Sequence, residues 1–234
     1  RRFTAISRRG LLPRTHAAGP PAPGRADFIG GPLQVLREVR KLSADGDGRA
    51  AIDAVRGSAK ALWAVWPPAQ RRRFLRHLRP WWDVYRHRMA PSVAHHIEAM
   101  AEADAFVLHA GVIQRLALGE EVVRAAWRPR GSTQIRPLRV DSVVNCTGHA
   151  GDLRQSGDRL LRNLLSANLV QPDPCALGLD VDASSRPRDA HGATARGLYA
   201  VGPITRGAFW EMTAVPDIRF QASDVARDLL AELG

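Results

Sequence analysis

The sequence predicts an α/β protein, and three observations carry that class. Residues 32–103 show helical periodicity with no strand signal. Residues 104–150 hold short β-type runs. The last third contains two apolar stretches that each end in a glycine bend, the second followed by a long amphipathic helix.

The glycine bends are the most informative feature. Val140-Asp141-Ser142-Val143-Val144-Asn145-Cys146 reads as a buried strand that runs into the turn Thr147-Gly148. Gly197-Leu198-Tyr199-Ala200-Val201 repeats the pattern and ends at Gly202-Pro203. Glycine lets the backbone approach a flat or phosphorylated cofactor closely, and a helix start just downstream supplies unpaired N–H groups and partial positive charge.

In chain order, Phe3–Ser7 reads as a short strand ended by Arg8-Arg9-Gly10. The Pro/Gly-rich stretch 11–31 is loop. Pro32 suits a first helical position, and Leu33, Leu36, Val39 and Leu42, with Val35, follow helical spacing. Asp45-Gly46-Asp47-Gly48 breaks that helix, and Asp47 suits a cap for the next. Ile52, Val55, Ala59, Leu62, Trp63 and Trp66 line one face of this second helix. Pro67-Pro68 opens another, with Arg71-Arg72-Arg73, Phe74, Leu75 and Leu78. After Pro80 come Trp81, Trp82, Val84, Tyr85 and Met89, and Pro91 to Ala103 forms one more helix.

Short strands are expected over Ala105–Leu108, Val112–Leu118, Val122–Trp127 and Ile135–Val140, with a hairpin turn at Arg130-Gly131-Ser132. Leu160, Leu161, Leu164, Leu165 and Leu169 mark an amphipathic helix, and Leu177–Val181 another strand. The last helix starts near Pro216-Asp217, with Ile218, Ala222, Val225, Leu229 and Leu233 on one face.

The 234 residues carry a net charge of +11, all of it in the first half: residues 1–100 sum to +12 and residues 101–234 to −1. Acidic partners such as a nucleotide phosphate suit the basic half. No run of about 18 apolar residues exists, which disfavours a membrane span. Cys146 and Cys175 form neither a CxxC pair nor a zinc knuckle, so a reducing cytoplasm is the expected location and Cys146 is expected to pack as a small apolar residue. His87, His95 and His96 lack the spacing of a metal site, so no metal is expected, and the absence of a GxSxG elbow disfavours nucleophilic hydrolysis. Glu211, beside Trp210, is the best carboxylate for acid/base work, but it offers no firm catalytic assignment.

The segments Ala5–Pro13, Arg73–Pro80, Trp82–Arg88, Val144–Gly148 and, most specifically, Gly197–Gln221 resemble the C-terminal part of the FAD/NAD(P)-binding flavoproteins, the two-dinucleotide-domain group related to flavin monooxygenases and pyridine-nucleotide oxidoreductases. The resemblance implies a fragment of such a protein with a helical insertion and a small β-rich segment. Its parts would be 1–31, the truncated end of a NAD(P)-binding domain; 32–103, the insertion; 104–150, the β-rich return; and 151–234, part of the FAD domain. It implies hydride transfer from NADPH to FAD and on to a small-molecule substrate or oxygen. Thr147 and Gly148 would lie between the nucleotide domains. Gly202, Pro203, Trp210, Val215 and Pro216 would flank the flavin. Arg8 and Arg9, just past a strand, would accommodate the 2′-phosphate of NADP, since Arg pairs bidentately with phosphate.

Two features depart from the family. Gly202-Pro203 stands where many relatives have Gly-Asp, and no G-x-G-x-x-G loop is present. The chain opens in strand-like sequence without Met, so both phosphate loops are expected upstream of Arg1. The rival expectations are a non-catalytic basic module that binds nucleic acid or an acidic partner through residues 60–90, and an inactive fragment. Nucleic acid is the disfavoured partner, because tryptophans at helical spacing pack inside while their arginines stay wet. Oligomeric state is not legible.

Overall fold

The computed structural model describes residues 1–16, 27–44, 48–148 and 151–233. It is mixed α/β. Among the described residues, four strands form one mixed sheet, accompanied by seven α-helices. No helix among them is long and apolar enough to cross a membrane. The chain divides into two compact units. The first takes Arg1–Ala22, Asp47–Asp53 and Leu75–Thr147, and the second takes Pro23–Gly46, Ala54–Phe74 and Gly148–Gly234.

The helical expectation over 32–103 is met by five helices: α1 (Pro32–Leu42), α2 (Gly48–Val65), α3 (Pro68–His77), α4 (Arg79–Arg86) and α5 (Pro91–Glu102). Proline stands at the first or second position of α1, α4 and α5, where its missing N–H has no intrahelical partner to lose. On α2 the expected stripe is inward: Val55, Ala59, Leu62, Trp63 and Trp66 are buried. The expected Asp47 cap lies outside the described residues.

In the first unit the sheet order is β1 (Phe3–Ser7), β2 (Phe106–Leu118), β3 (Val123–Pro129) and β4 (Arg136–Val140). β1 runs parallel to β2, with Phe3 opposite Phe106 and Ser7 opposite Ala110. The other three form an antiparallel meander. The two runs expected at 105–108 and 112–118 are one long strand, which tolerates a register shift between Ile113 and Arg115. The turn at Arg130-Gly131-Ser132 is present: Ser132 N–H donates to the Pro129 carbonyl at 3.1 Å. The strand expected over Val140–Cys146 is not formed. β4 stops at Val140 because its partner β3 begins at Val123, opposite it, and a strand without a ladder partner has no unit of stabilisation. The segment beyond is exposed, Val144 is 82% accessible, and Cys146 is exposed rather than packed.

In the second unit, α6 (Arg159–Ser166) is capped by the Asp158 carboxylate, which accepts from Leu161 N–H at 2.9 Å. It lays Leu161, Leu164 and Leu165 against a core of Leu153, Val170, Leu179, Val181 and Ala200. Leu177–Val181 is not a strand. It makes only isolated bridges, to Pro172 and Pro187, which have no N–H to extend a ladder. Gly197–Val201 is likewise irregular: Ala200 N–H donates to the Ser185 carbonyl at 2.9 Å, and no ladder follows. The last helix, α7, spans Val215–Leu233. Its buried line runs through Gln221 and Val225, whereas Ala222 and Leu229 of the expected face are exposed.

Candidate functional site

Of the residues singled out from the sequence, Arg8, Arg9 and Thr147 belong to the first unit. Gly148, Gly202, Pro203, Trp210, Val215 and Pro216 belong to the second.

Arg8 and Arg9 sit just past the carboxyl end of β1. Arg8 is exposed. Arg9 is half-buried, and its Nη2 donates to the Arg76 carbonyl at 3.0 Å. The chain turns there through Gly10, at φ +61°, whose N–H donates to Ser7 Oγ at 3.0 Å. A Cβ on Gly10 would stand 3.1 Å from the Ala110 backbone nitrogen on β2, so the turn needs glycine for space as well as for φ. Thr147 closes a small local turn, its N–H and Oγ1 both donating to Asn145 Oδ1 at 3.1 and 2.8 Å. Gly148 follows in open space.

In the second unit, Gly202 adopts φ +88°, ψ −155°, a conformation almost restricted to glycine. A Cβ built on it meets a single neighbour, Ile218 Cγ2 at 3.9 Å, so the bend rests on the first turn of α7, and Gly202 itself is buried. Pro203 then starts a 3₁₀ turn through Thr205. The bend's own polar groups are already engaged. Gly202 N–H donates to Gln221 Oε1 at 2.8 Å, and its carbonyl accepts from Thr205 Oγ1 at 2.8 Å. What it offers a ligand is close backbone approach, with exposed apolar residues on both sides: Val201 is 36% and Val215 78% accessible, and Pro203 and Pro216 are exposed.

Asp217, in the first turn of α7, pairs with Lys60 of α2. Its charge is therefore met by a cation, and it neither caps the helix backbone by a side-chain bond nor stands alone at the helix start.

Trp210 is buried in an aromatic cluster with Trp63, Trp66 and Phe74. Trp63 Nε1 and Arg71 Nη1 both donate to the Gly207 carbonyl, at 2.8 and 3.1 Å. Arg71 also bonds the carbonyls of Trp63, Ala64 and Trp66, so one guanidinium closes the carboxyl end of α2. Trp82, in the first unit, is buried too, and of the tryptophans between 60 and 90 only Trp81 is exposed, at 44%. Buried rings cannot stack on nucleic-acid bases.

Beside the cluster lies a cleft of about 630 Å³ whose lining includes Asp173, Asp180, Asp182, Asp217, Asp224 and Asp228, against the cations Lys60, Arg71 and Arg188. Burial pushes the Asp173 carboxyl up, against the N–H bonds from Cys175 and Leu177 that pull it down. Burial likewise raises Asp180, opposed by Arg188. Burial alone would raise Asp182 as well, but the N–H and guanidinium of Arg186 outweigh it and hold this carboxyl below its ordinary value. Four of these carboxylates have a cation at hand: Asp180 with Arg188, Asp182 with Arg186, Asp217 with Lys60 and Asp224 with Arg227.

Sequence reasoning missed Gln221, Thr205, Ser185 and Arg71. A signal existed for Gln221. It lies three residues after Ile218 and four before Val225, a polar residue on an apolar stripe. No protein-family model, curated protein or solved structure matches this chain.

Proposed function

We propose that the second unit forms the ring-facing part of an FAD site in an NADPH-dependent oxidoreductase. The observation that carries this reading is the Gly202 bend seated on the first turn of α7, with no side chain but the Ile218 methyl near the space a Cβ would take. The fit is to the ring end of the cofactor. A glycine bend without a Cβ, flanked by exposed valines and prolines and a helix start, suits a flat ring with an electron-rich edge. The sequence holds no G-x-G-x-x-G, so the reading assigns no pyrophosphate contact to these residues.

When bound, FAD would supply the redox chemistry, accepting hydride from NADPH and passing it to a small-molecule substrate or oxygen. The residues of the chain bind and orient. Gly202 admits the ring plane, Val201, Val215 and the prolines exclude water from it, and the amino end of α7 favours negative charge at its edge. The Asp217–Lys60 pair keeps a lone carboxylate from opposing that charge. Arg8, beyond the carboxyl end of β1, favours the 2′-phosphate of NADPH.

Riboflavin tests the ring site without the phosphates. Titrated into the chain, it should lose fluorescence saturably, and the Gly202→Val variant should abolish the effect. An unchanged riboflavin signal at millimolar protein would sink the reading.

A further inference from the structure

We propose that Gln221 is the positioning residue of this ring site: one buried amide that fixes the Gly202–Pro203 bend against α7. The inference rests on the flavin reading given above. Three polar side chains are buried around the bend: Ser185 at 3%, Thr205 at 0% and Gln221 at 6% accessible. Groups this deep persist when their hydrogen bonds are made, and here they are. Gln221 Oε1 accepts from Gly202 N–H at 2.8 Å. Its Nε2 donates to Ser185 Oγ and to Thr205 Oγ1, each at 3.0 Å, and Thr205 Oγ1 donates to the Gly202 carbonyl at 2.8 Å. Both amide donors are used, and the bonds close a ring from Gly202 N–H through Gln221 and Thr205 back to the Gly202 carbonyl.

The network reaches one step further. Ser185, itself at φ +65°, accepts from Ala200 N–H through its carbonyl at 2.9 Å. The irregular segment that leads to the bend and the bend itself are thus both tied, through Ser185 and Gln221, to α7. A side chain on α7 sets where Gly202 lies along that helix, while apolar packing alone, through Ile218, would leave the bend free to slide or relax from its glycine-only conformation. Buried, fully satisfied polar networks of this kind fix one geometry. Gln221 does not present itself to the ring. It acts through Gly202.

The test compares Gln221→Leu, Gln221→Glu and Thr205→Val in the full chain. Three quantities are read: amide hydrogen exchange at Gly202, riboflavin affinity, and the urea midpoint. Gln221→Leu should speed exchange at Gly202 at least about tenfold, the net worth of one buried hydrogen bond, and weaken riboflavin in parallel. Exchange at Arg227 and Asp228 in the middle of α7 should keep its wild-type rate. Gln221→Glu keeps an acceptor for Gly202 N–H and should restore most of the protection. Equal acceleration along all of α7 would mark a role in helix stability only and overturn the proposal, as would unchanged exchange at Gly202. If Gln221→Leu does not fold, Thr205→Val, which removes both bonds of Thr205 Oγ1 and keeps those of Gln221 to Gly202 and Ser185, must show the same local pattern in smaller degree, and its failure to do so overturns the proposal. If Gly202 loses protection in the variant but riboflavin binds not even the wild-type chain, the flavin reading falls and the positioning role falls with it, while the clamp itself stands.

Discussion

Trp210 lies face to face with Trp63, their ring centroids 4.5 Å apart and their planes at 29°. Phe74 closes edge-on against both, at 6.2 Å from Trp63 and 5.3 Å from Trp210. The contact joins α2 to the segment that leads into α7, so the second unit depends on it. Trp63→Ala should lower unfolding stability by about 3–5 kcal/mol, as large-to-small changes at buried aromatics do. Trp210→Phe, which keeps a ring in place, should cost less than half of that. Urea midpoints at constant m-value would check both, and equal losses would show that stacking is not what matters.

Arg71 should resist conservative replacement. Its planar fork bonds four carbonyls and lies over the Trp63 ring at 5.1 Å. Arg71→Lys offers one compact ammonium in place of that fork, and a destabilisation of about 2–3 kcal/mol is expected, close to the loss for Arg71→Met. Rescue by lysine in thermal denaturation would contradict the geometry.

Gly202→Ala separates conformation from space. The added methyl has room, since its one neighbour is Ile218 Cγ2 at 3.9 Å. The backbone at φ +88°, ψ −155° does not suit it. The expected loss is about 1–3 kcal/mol. A neutral result in chemical denaturation would mean that the bend relaxes without consequence.

Acid titration should show opposed signs at two aspartates. Burial raises Asp173, so the native state binds its proton more readily than the unfolded chain does. That contribution to stability is present at low pH and falls as pH rises through the window just above about 3.9. Asp182 is held low by Arg186, so its contribution is present at neutral pH and is lost as pH falls through the window below about 3.9. Asp173→Asn should therefore be more stable than wild type at pH 7, and Asp182→Asn less stable, the second difference vanishing in acid. Stability curves from pH 2 to 7 would decide, and a common sign for the two variants would refute the assignment.

Arg8 should discriminate phosphates. If it faces a 2′-phosphate, 2′,5′-ADP should bind the chain more tightly than 5′-AMP, and Arg8→Glu should erase about tenfold or more of that preference, the worth of one charged hydrogen bond. Calorimetric titration of the two nucleotides reads this directly. Equal binding of both by the wild-type chain would remove Arg8 and Arg9 from any such role.

The helices were legible because their signals are local. The proline starts of α1 and α5 and the α2 stripe from Val55 to Trp66 each need only neighbours a turn or two away. The irregular segments were misread for the converse reason. Val143-Val144 and Leu177–Val181 have strand composition, but a strand exists only where a partner supplies its ladder, and β3 begins only at Val123, opposite Val140, while Pro172 and Pro187 cannot extend theirs. The face of α7 was misplaced because an apolar stripe was sought. The helix buries Gln221, whose value appears only once Gly202, Thr205 and Ser185 surround it.

The α/β class, the proline-led helix starts, the meander of β2 to β4 and the glycine bends at Gly148 and Gly202, both at positive φ, could be read from the chain before any contact was known. Those follow from backbone sterics and from periodicity within a few residues. Tertiary structure alone decided that Asp217 meets Lys60, that Trp210 is packed against Trp63, and that an amide from α7 holds Gly202. Each of these joins residues 16 or more positions apart in the chain. Such pairings are set by which buried groups must satisfy one another once water is gone.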